Sequence, residues 1–426
     1  MSSLAAREFL EKYGMNPERI VPARDAVAMC EAMERGLRGE PSPFPMIPTY
    51  LSDEGEIPLD RPCVVIDAGG TNFRRALVTF TAEGVKVEEA QRWRMPGLEE
   101  PASWETFISF VADAIEPLLD RADSIGFCFS YQAEITPERD GRVVRIDKEV
   151  VITGCEGQLV GRSLLEELGR RGITGKKIVI LNDTAATMLG GPAAAERARY
   201  GGLIGQVSGT GTNTCCSLPQ ERITKLGLTG ARHMIVNLES GMYDGIEQGT
   251  FDRMLDEASN NPGSKIFEKL TAGVYLGELC RDMLKAAAGE GLLSAVAAER
   301  IGALGWIDSA VIDAWACGEK LESICRTQED RDFVQTICAA AFERSARCMA
   351  TNLAAILLLT GEGTDPERPV CICAEGSLVQ KSRVYRPCLE ALIDEEIGEK
   401  LGRHALLQVS YETTLGGSAA AALLNT

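Results

Sequence analysis

Histidine is nearly missing from this chain, with only His233 and His404 in 426 residues. A zinc site or catalytic nest built on imidazoles cannot be assembled from that pair. Basic residues are also in deficit: 44 Lys plus Arg stand against 62 Asp plus Glu, a formal charge of −18. This acidic excess excludes the broad basic face that nucleic acid or an anionic membrane requires. Long apolar runs are absent too. The longest candidate, residues 353–359, falls far short of the roughly 20 residues that span a bilayer. No membrane span is therefore expected, and the amphipathic start MSSLAAREFLEKYGM has no apolar signal core.

Cysteine is plentiful, but its framework spacing is missing. Among 14 cysteines none makes a C-x-x-C pair, and the nearest are Cys215-Cys216 and the Cys371/Cys373 alternation. A chain this long builds a core without staples, so free thiols acting as small hydrophobes in a reducing cytoplasm are expected. The common nucleotide and hydrolase signatures are missing as well. There is no G-x-x-x-x-G-K-[ST], no G-x-G-x-x-G after a strand, no protein-kinase set and no G-x-S-x-G. Low-complexity tracts and Pro/Gly/Ser linkers do not occur, so composition marks no domain boundary.

What remains is an ordinary globular balance, 45% hydrophobic and 25% charged, with length for two or three domains. Short β-type runs are predicted at 63–66, 76–80, 124–131, 178–181, 202–207, 233–238, 370–374 and 406–411. A helix is predicted from Asn261-Pro262, with Ile266, Leu270, Val274, Leu279 and Met283 at helical spacing. Another is predicted over 330–359, stopped by Gly361. Strands mixed with helices along the whole length predict an α/β fold.

One echo stands out. A strand, then Asp67-Ala68-Gly69-Gly70-Thr71-Asn72, then a strand reappears as a strand, then Gly209-Thr210-Gly211-Thr212-Asn213, then Thr214-Cys215-Cys216. Glycine-rich hairpin turns let backbone amides approach an anion closely, and two of them predict two halves gripping one polyphosphate. Asp67, at a strand end beside two glycines, Thr71 and Arg74, reads equally as a turn cap or as a Mg²⁺ holder acting through water. Asp183, after the apolar run ending in Leu181-Asn182, reads as a helix cap or as a base at the carboxyl edge of a sheet. Glu239, in Asn237-Leu238-Glu239, and Glu268, near the start of the Asn261-Pro262 helix, each read alone as solvated or capping groups.

Taken in order, the motifs D-x-G-G-T-N-x-R, F-S, D-K, N-D-T, G-T-G-T-N, N-L-E and N-P-G-x-x-x-F-E-K resemble the hexokinase family of the actin-like ATPase superfamily. The resemblance runs from about Cys63 to the carboxyl end and is densest in NNPGSKIFEKLTAGVYLGELCRDML. It implies a two-domain, ribonuclease H-like α/β fold, each domain a mixed sheet flanked by helices with ligands in the cleft between them. The small domain would be 61–183, and 1–60 with 184–426 the large one. It implies a cytoplasmic kinase that passes the γ-phosphoryl group of Mg²⁺-bound ATP to the 6-hydroxyl of glucose or a related hexose.

Carried onto matching positions, the resemblance makes Asp183 the base. Ser130, Lys148, Asn182, Asn213, Glu239 and Glu268 would line the sugar pocket. Asp67, Gly69, Gly70, Thr71, Asn72 and Arg74 would form the first phosphate loop, with Asp67 near the metal. Gly209, Thr210 and Gly211 would form the second, and Gly376, Ser377, Gly416 and Gly417 would meet adenosine. The chain departs from the family pattern at Gln132, Asp147, Ser240, Glu375 and the stretch Leu415-Gly416-Gly417-Ser418. A kinase for mannose, fructose or an amino sugar, and a catalytically weak sugar sensor, are the alternative expectations.

Overall fold

Two sheets with one connectivity organise the chain. The computed structural model describes residues 3–146, 150–192 and 194–426. In the first sheet, strand Pro62–Gly69 turns into Asn72–Thr81 and then Gly84–Arg94, an antiparallel meander. The chain then crosses over to lay Ser124–Phe129 and Lys177–Leu181 parallel to the first strand on its other side. The second sheet repeats this order. Gly202–Ser208, Thr212–Pro219 and His233–Asn237 form the meander, and Val370–Glu375 and Ala405–Val409 run parallel beside it. A two-residue strand, Ile47–Pro48, extends the meander edge.

Burial explains which strands are legible. Ser124–Phe129 is buried at all six positions, the continuous apolar run typical of a parallel strand covered on both faces. By contrast Gly84–Arg94 reads GVKVEEAQRWR and is mostly exposed, which is why it goes unpredicted. The expected run 124–131 stops as a strand at Phe129. Its last two residues leave the ladder, and the Ser130 amide donates to the Ala68 carbonyl at 3.0 Å.

The helix expected from Asn261-Pro262 is a correction. Asn261, Pro262 and Gly263 form a turn, with Gly263 at φ +74° and its amide donating to the Asp256 carboxylate at 2.9 Å. Helix begins only at Ile266–Thr271, breaks at Ala272 and resumes as Gly273–Gly289. The break has a long-range cause: the Gly273 amide donates to the Gly209 carbonyl at 2.8 Å. The long helix does form, as Gln328–Thr360, opened by a Thr327/Asp330 capping box and closed by Gly361 at φ +77°.

Three apolar cores result. One lies under the outer face of the first sheet, around Phe107, Phe127 and Leu164. The largest holds the helices of the second half, around Leu276, Phe342 and Ile372. The third lies between the sheets, joining Val65 and Leu181 of the first to Cys215 and Cys373 of the second. Helices Asp183–Gly190 and Thr413–Asn425 fill it through Ala185, Ala186 and Ala419 to Ala422. These two helices touch at backbone distance, since a Cβ on Gly417 would collide with the main chain of Ala186. All 14 cysteines are unpaired, and 11 are buried. Among the described residues, no helix is long and apolar enough to cross a membrane.

Candidate active site

Register places the first group of candidates. Asp67, Cys128 and Leu181 lie side by side across the three parallel strands. The residues just beyond them, Ser130 and the Asn182-Asp183 pair, therefore emerge together at the carboxyl edge. That edge is where ligands of open α/β sheets bind.

The hairpin Gly69–Asn72 closes through Gly70, at φ +57°, a conformation glycine adopts without penalty. Gly69 is required for another reason: a Cβ there would sit 3.1 Å from both Cβ and Oγ of Ser130. Arg74 donates twice to Oδ2 of Asp67, at 2.6 and 2.9 Å. Burial pushes the Asp67 carboxyl above its ordinary range; Arg74 opposes that shift and the charge of Asp183 adds to it. Asn72 is occupied by its neighbours, accepting from Arg92 at 2.6 and 2.9 Å and donating to Thr71 Oγ1 at 3.0 Å.

The two readings of Asp183 separate here. The cap of helix Asp183–Gly190 is Asn182, whose Oδ1 accepts from the Ala185 amide at 3.0 Å. Asp183 takes the first helical position, half-buried, its one side-chain bond among the described residues coming from Thr184 Oγ1 at 3.2 Å. It is thus released from capping. The cap also occupies the oxygen of Asn182 and leaves only its Nδ2 for a ligand.

The second group gathers at the matching edge of the other sheet. The turn Gly209-Thr210-Gly211 joins Ser208 to Thr212, with Thr210 exposed at its apex. Gly376 and Ser377 pack on this turn: a Cβ on Gly209 would lie 3.1 Å from the Ser377 amide and 3.4 Å from Gly376 Cα. Gly376 holds φ +121° directly against the Ser208 carbonyl. From the broken helix, Glu268 reaches the same loop, accepting from the Thr212 amide at 3.4 Å and pairing with Lys265 at 3.5 Å.

Asn213, Asn237 and Glu239 form one network. Glu239 Oε1 accepts from Asn237 at 2.7 Å and Asn213 at 3.3 Å, and Asn213 Nδ2 also donates to Asn237 at 2.8 Å. Asn213 Oδ1 accepts from the amides of Thr214 and Ser240, at 2.8 and 3.2 Å. Asn213 is therefore fully engaged in orienting its neighbours, while Oε2 of Glu239 has no bond among the described residues. Glu239 adopts φ +55°, a left-handed conformation costly for a side-chain-bearing residue and concentrated at functional sites. Burial raises its carboxyl; Asn237 opposes, and the charges of Asp183 and Glu268 raise it further.

Asp183 thus acts electrostatically on Asp67 from one sheet and on Glu239 from the other. Gly416 and Gly417 lie apart from the two turns. Lys148 lies outside the described residues. Gly417 faces Ala186 in the core between the sheets. Gly416 lines a cavity of about 700 Å³ with Arg74, Arg92, Glu412 and Thr413, next to Glu375, which bonds Thr413. Sequence reasoning gave no role to Tyr131, whose hydroxyl donates to the Gly70 carbonyl at 2.9 Å. It read Asn237 as an amide at a strand end but gave it no place in the pocket, although the N-x-E spacing carries the signal. No cluster of three metal-binding side chains occurs among the described residues. Asp67, with one oxygen free of Arg74, fits an ion that arrives with phosphate oxygens and water rather than one caged by protein.

Comparison with known proteins agrees with this geometry. Two family models, both described as hexokinase, match residues 5–192 and 203–424. Hexokinase-1 of Oryza sativa subsp. japonica is 27% identical over 439 residues, covering 93% of this chain and 86% of that protein. Hexokinase-1 of Schizosaccharomyces pombe is 26% identical over 396 residues, covering 86% and 80%. Among solved structures, the Schistosoma mansoni hexokinase complexed with glucose superposes with a TM-score of 0.75 at 20% identity, covering 98% of this chain and 99% of that one. A ROK family glucokinase from Streptomyces griseus, in complex with glucose and AMPPNP, gives 0.50 at 15% identity, covering 85% and 98%. The fold is the two-domain, actin-like α/β fold of these sugar kinases. Matched by family models over residues 5–192 and 203–424, the chain belongs to the hexokinase family and is a sugar phosphotransferase.

Proposed function

We propose that the protein transfers the γ-phosphoryl group of ATP to the primary 6-hydroxyl of glucose or a related hexose, with Asp183 as general base. One observation carries this reading: Asp183 is relieved of capping by Asn182 and stands where its charge reaches both Asp67 and Glu239. A base so placed can take the proton of a sugar hydroxyl on one side as that oxygen attacks phosphorus held on the other.

Sugars are neutral polyols, so recognition needs fixed amides and carboxylates, each matched to a hydroxyl. Glu239, oriented by Asn237 and Asn213, offers Oε2; Glu268, Asn182 Nδ2 and Ser130 supply further partners. The glycine turns at 69–71 and 209–211 present backbone amides to phosphate oxygens. Gly376, Ser377 and Gly416 stand beside the second turn and the cavity at Arg74, where a nucleoside would extend. Mg²⁺, bound with ATP, neutralises phosphate charge, and Asp67 would meet it through water. Water is also a nucleophile, so the lobes 61–183 and 1–60 with 184–426 would close over the sugar before transfer. Unpaired, mostly buried cysteines support a reducing cytoplasm.

A kinase for mannose, fructose or an amino sugar is the second reading, favoured by Ser240, which is fully buried with an unpartnered hydroxyl beside Glu239. A panel of these sugars with Mg-ATP, followed by ADP release, tests both. Glucose giving the highest kcat/KM upholds the first reading, preference for another sugar selects the second, and no ADP release with any sugar refutes both.

A further inference from the structure

Both carbonyls of the first phosphate turn are tied down, and both of its amides are left over. Met95 donates its amide to the Thr71 carbonyl at 3.0 Å, and the Tyr131 hydroxyl donates to the Gly70 carbonyl at 2.9 Å. The amides of Gly70 and Thr71 have no acceptor among the described residues. In a trans peptide the C=O and N–H point to opposite sides of the chain. Holding the Gly70 oxygen against Tyr131 therefore turns the Thr71 N–H the other way, out of the protein. The residue before that plane is a glycine at φ +57°, whose missing side chain lets the plane rotate at little steric cost. The tyrosine hydroxyl is what holds it.

Tyr131 is itself held. It is 7% exposed, and its ring lies 5.2 Å from that of Phe129, centroid to centroid. The preceding Ser130 fixes the segment through its amide bond to Ala68 and its contact with Gly69. We infer that Tyr131 is a positioning residue for the nucleotide, fixing the Gly70–Thr71 peptide plane so that the Thr71 amide faces a phosphate oxygen. The inference rests on reading this turn as a phosphate grip. Tyr131 need touch no substrate; it acts through the plane it orients. Because Ser130 is a sugar candidate, a two-residue segment also links the sugar side of the cleft to the phosphate turn.

Tyr131→Phe tests this, since it keeps the ring and its packing and deletes one oxygen. The expected result is a rise in KM for Mg-ATP and a fall of about 3- to 10-fold in kcat/KM for ATP, the range one buried hydrogen bond supplies. KM for sugar and the melting temperature should stay at the parent's values, and Mg-ADP affinity by calorimetry should weaken by the same factor. A kcat/KM for ATP within about twofold of the parent overturns the inference. So does a joint loss of sugar KM, ATP KM and melting temperature, which would make Tyr131 a packing residue only. Failure of the functional reading is visible separately, in a parent enzyme that phosphorylates no sugar with Mg-ATP; the Mg-ADP titration of parent and variant then still reads the turn. A parent that binds no Mg-ADP overturns both.

Discussion

Truncating Asp183 to alanine separates chemistry from folding, because the helix it opens is capped by another residue. Asn182 keeps its bond to the Ala185 amide in the variant. What Asp183→Ala removes is a negative charge on the first helical turn, about 0.3–1 kcal/mol, and a bond from the neighbouring Thr184 hydroxyl, about 1 kcal/mol. What it relieves is repulsion, since the Asp183 charge adds to the upward shifts of Asp67 and Glu239. Loss and relief oppose each other, so folding stability should change by no more than about 1 kcal/mol. A positioned base contributes roughly 10²- to 10⁴-fold in rate, or about 3–5 kcal/mol of barrier. The effect on kcat therefore exceeds the effect on the fold by a factor of about three or more. A coupled ADP-release assay at saturating sugar and Mg-ATP gives kcat, sugar titration by intrinsic fluorescence gives affinity, and urea melts give stability. A kcat within about tenfold of the parent would refute the base assignment. So would a stability loss above about 2 kcal/mol that accounts for the inactivation by itself.

Other substitutions test neighbouring parts. Glu239→Gln removes a carboxylate whose folded-state pKa is raised, mainly by burial. An acid raised on folding favours the fold below its unfolded pKa, and that advantage is lost as pH rises through the folded value. Above its unfolded pKa the carboxyl is thus a burden, and the Gln variant should melt higher at neutral pH while kcat/KM for sugar falls. The parent's acid limb in kcat/KM for sugar should include a step above the ordinary glutamate range that the variant lacks; an identical profile in both removes Glu239 from the pocket. Asn213→Ala strips two amides of their acceptor and leaves Glu239 held by Asn237 alone. It should cost about 1–3 kcal/mol of stability and raise sugar KM without shifting KM for ATP. Gly417→Ala drives a methyl into the Ala186 backbone, so about 1–3 kcal/mol of stability should be lost, with kcat and the KM values for sugar and ATP worsening together where the variant stays folded. A selective rise in KM for ATP would return Gly417 to the adenosine site.

Legibility in the sequence followed the range of the forces involved. Buried parallel strands announced themselves as apolar runs, and Gly361 marked the end of the long helix because a left-handed stop is a local requirement. Gly84–Arg94 did not, since an exposed meander strand owes its conformation to the pairing of Arg74 with Arg92 and Phe73 with Trp93 rather than to its own residues. At Asn261-Pro262 a local helix-start signal was overridden by Gly263 bonding to Asp256 and by Gly273 reaching back to Gly209. The motifs located both glycine turns. They could not say which of two adjacent residues capped the helix, because capping and catalysis ask for the same side-chain types at the same place.

Repetition of the strand order explains why the site lies where it does. Each sheet opens with a meander whose first turn is glycine-rich, and each sends two further strands parallel to the first, so both carry their turn and their following loops on one edge. A single such edge offers amides to a phosphate chain on one side only. Two edges joined through the helices Asp183–Gly190 and Thr413–Asn425 can take it from both, and the first of those helices begins with the proposed base. The contact of Gly417 with Ala186 keeps the two helices at backbone distance. Alanine and glycine are therefore selected at this crossing by separation: side chains there would push the two sheets apart and carry Asp183 away from either Asp67 or Glu239. On this account the small-residue crossing sets the spacing of the proposed base and the two carboxylates it faces.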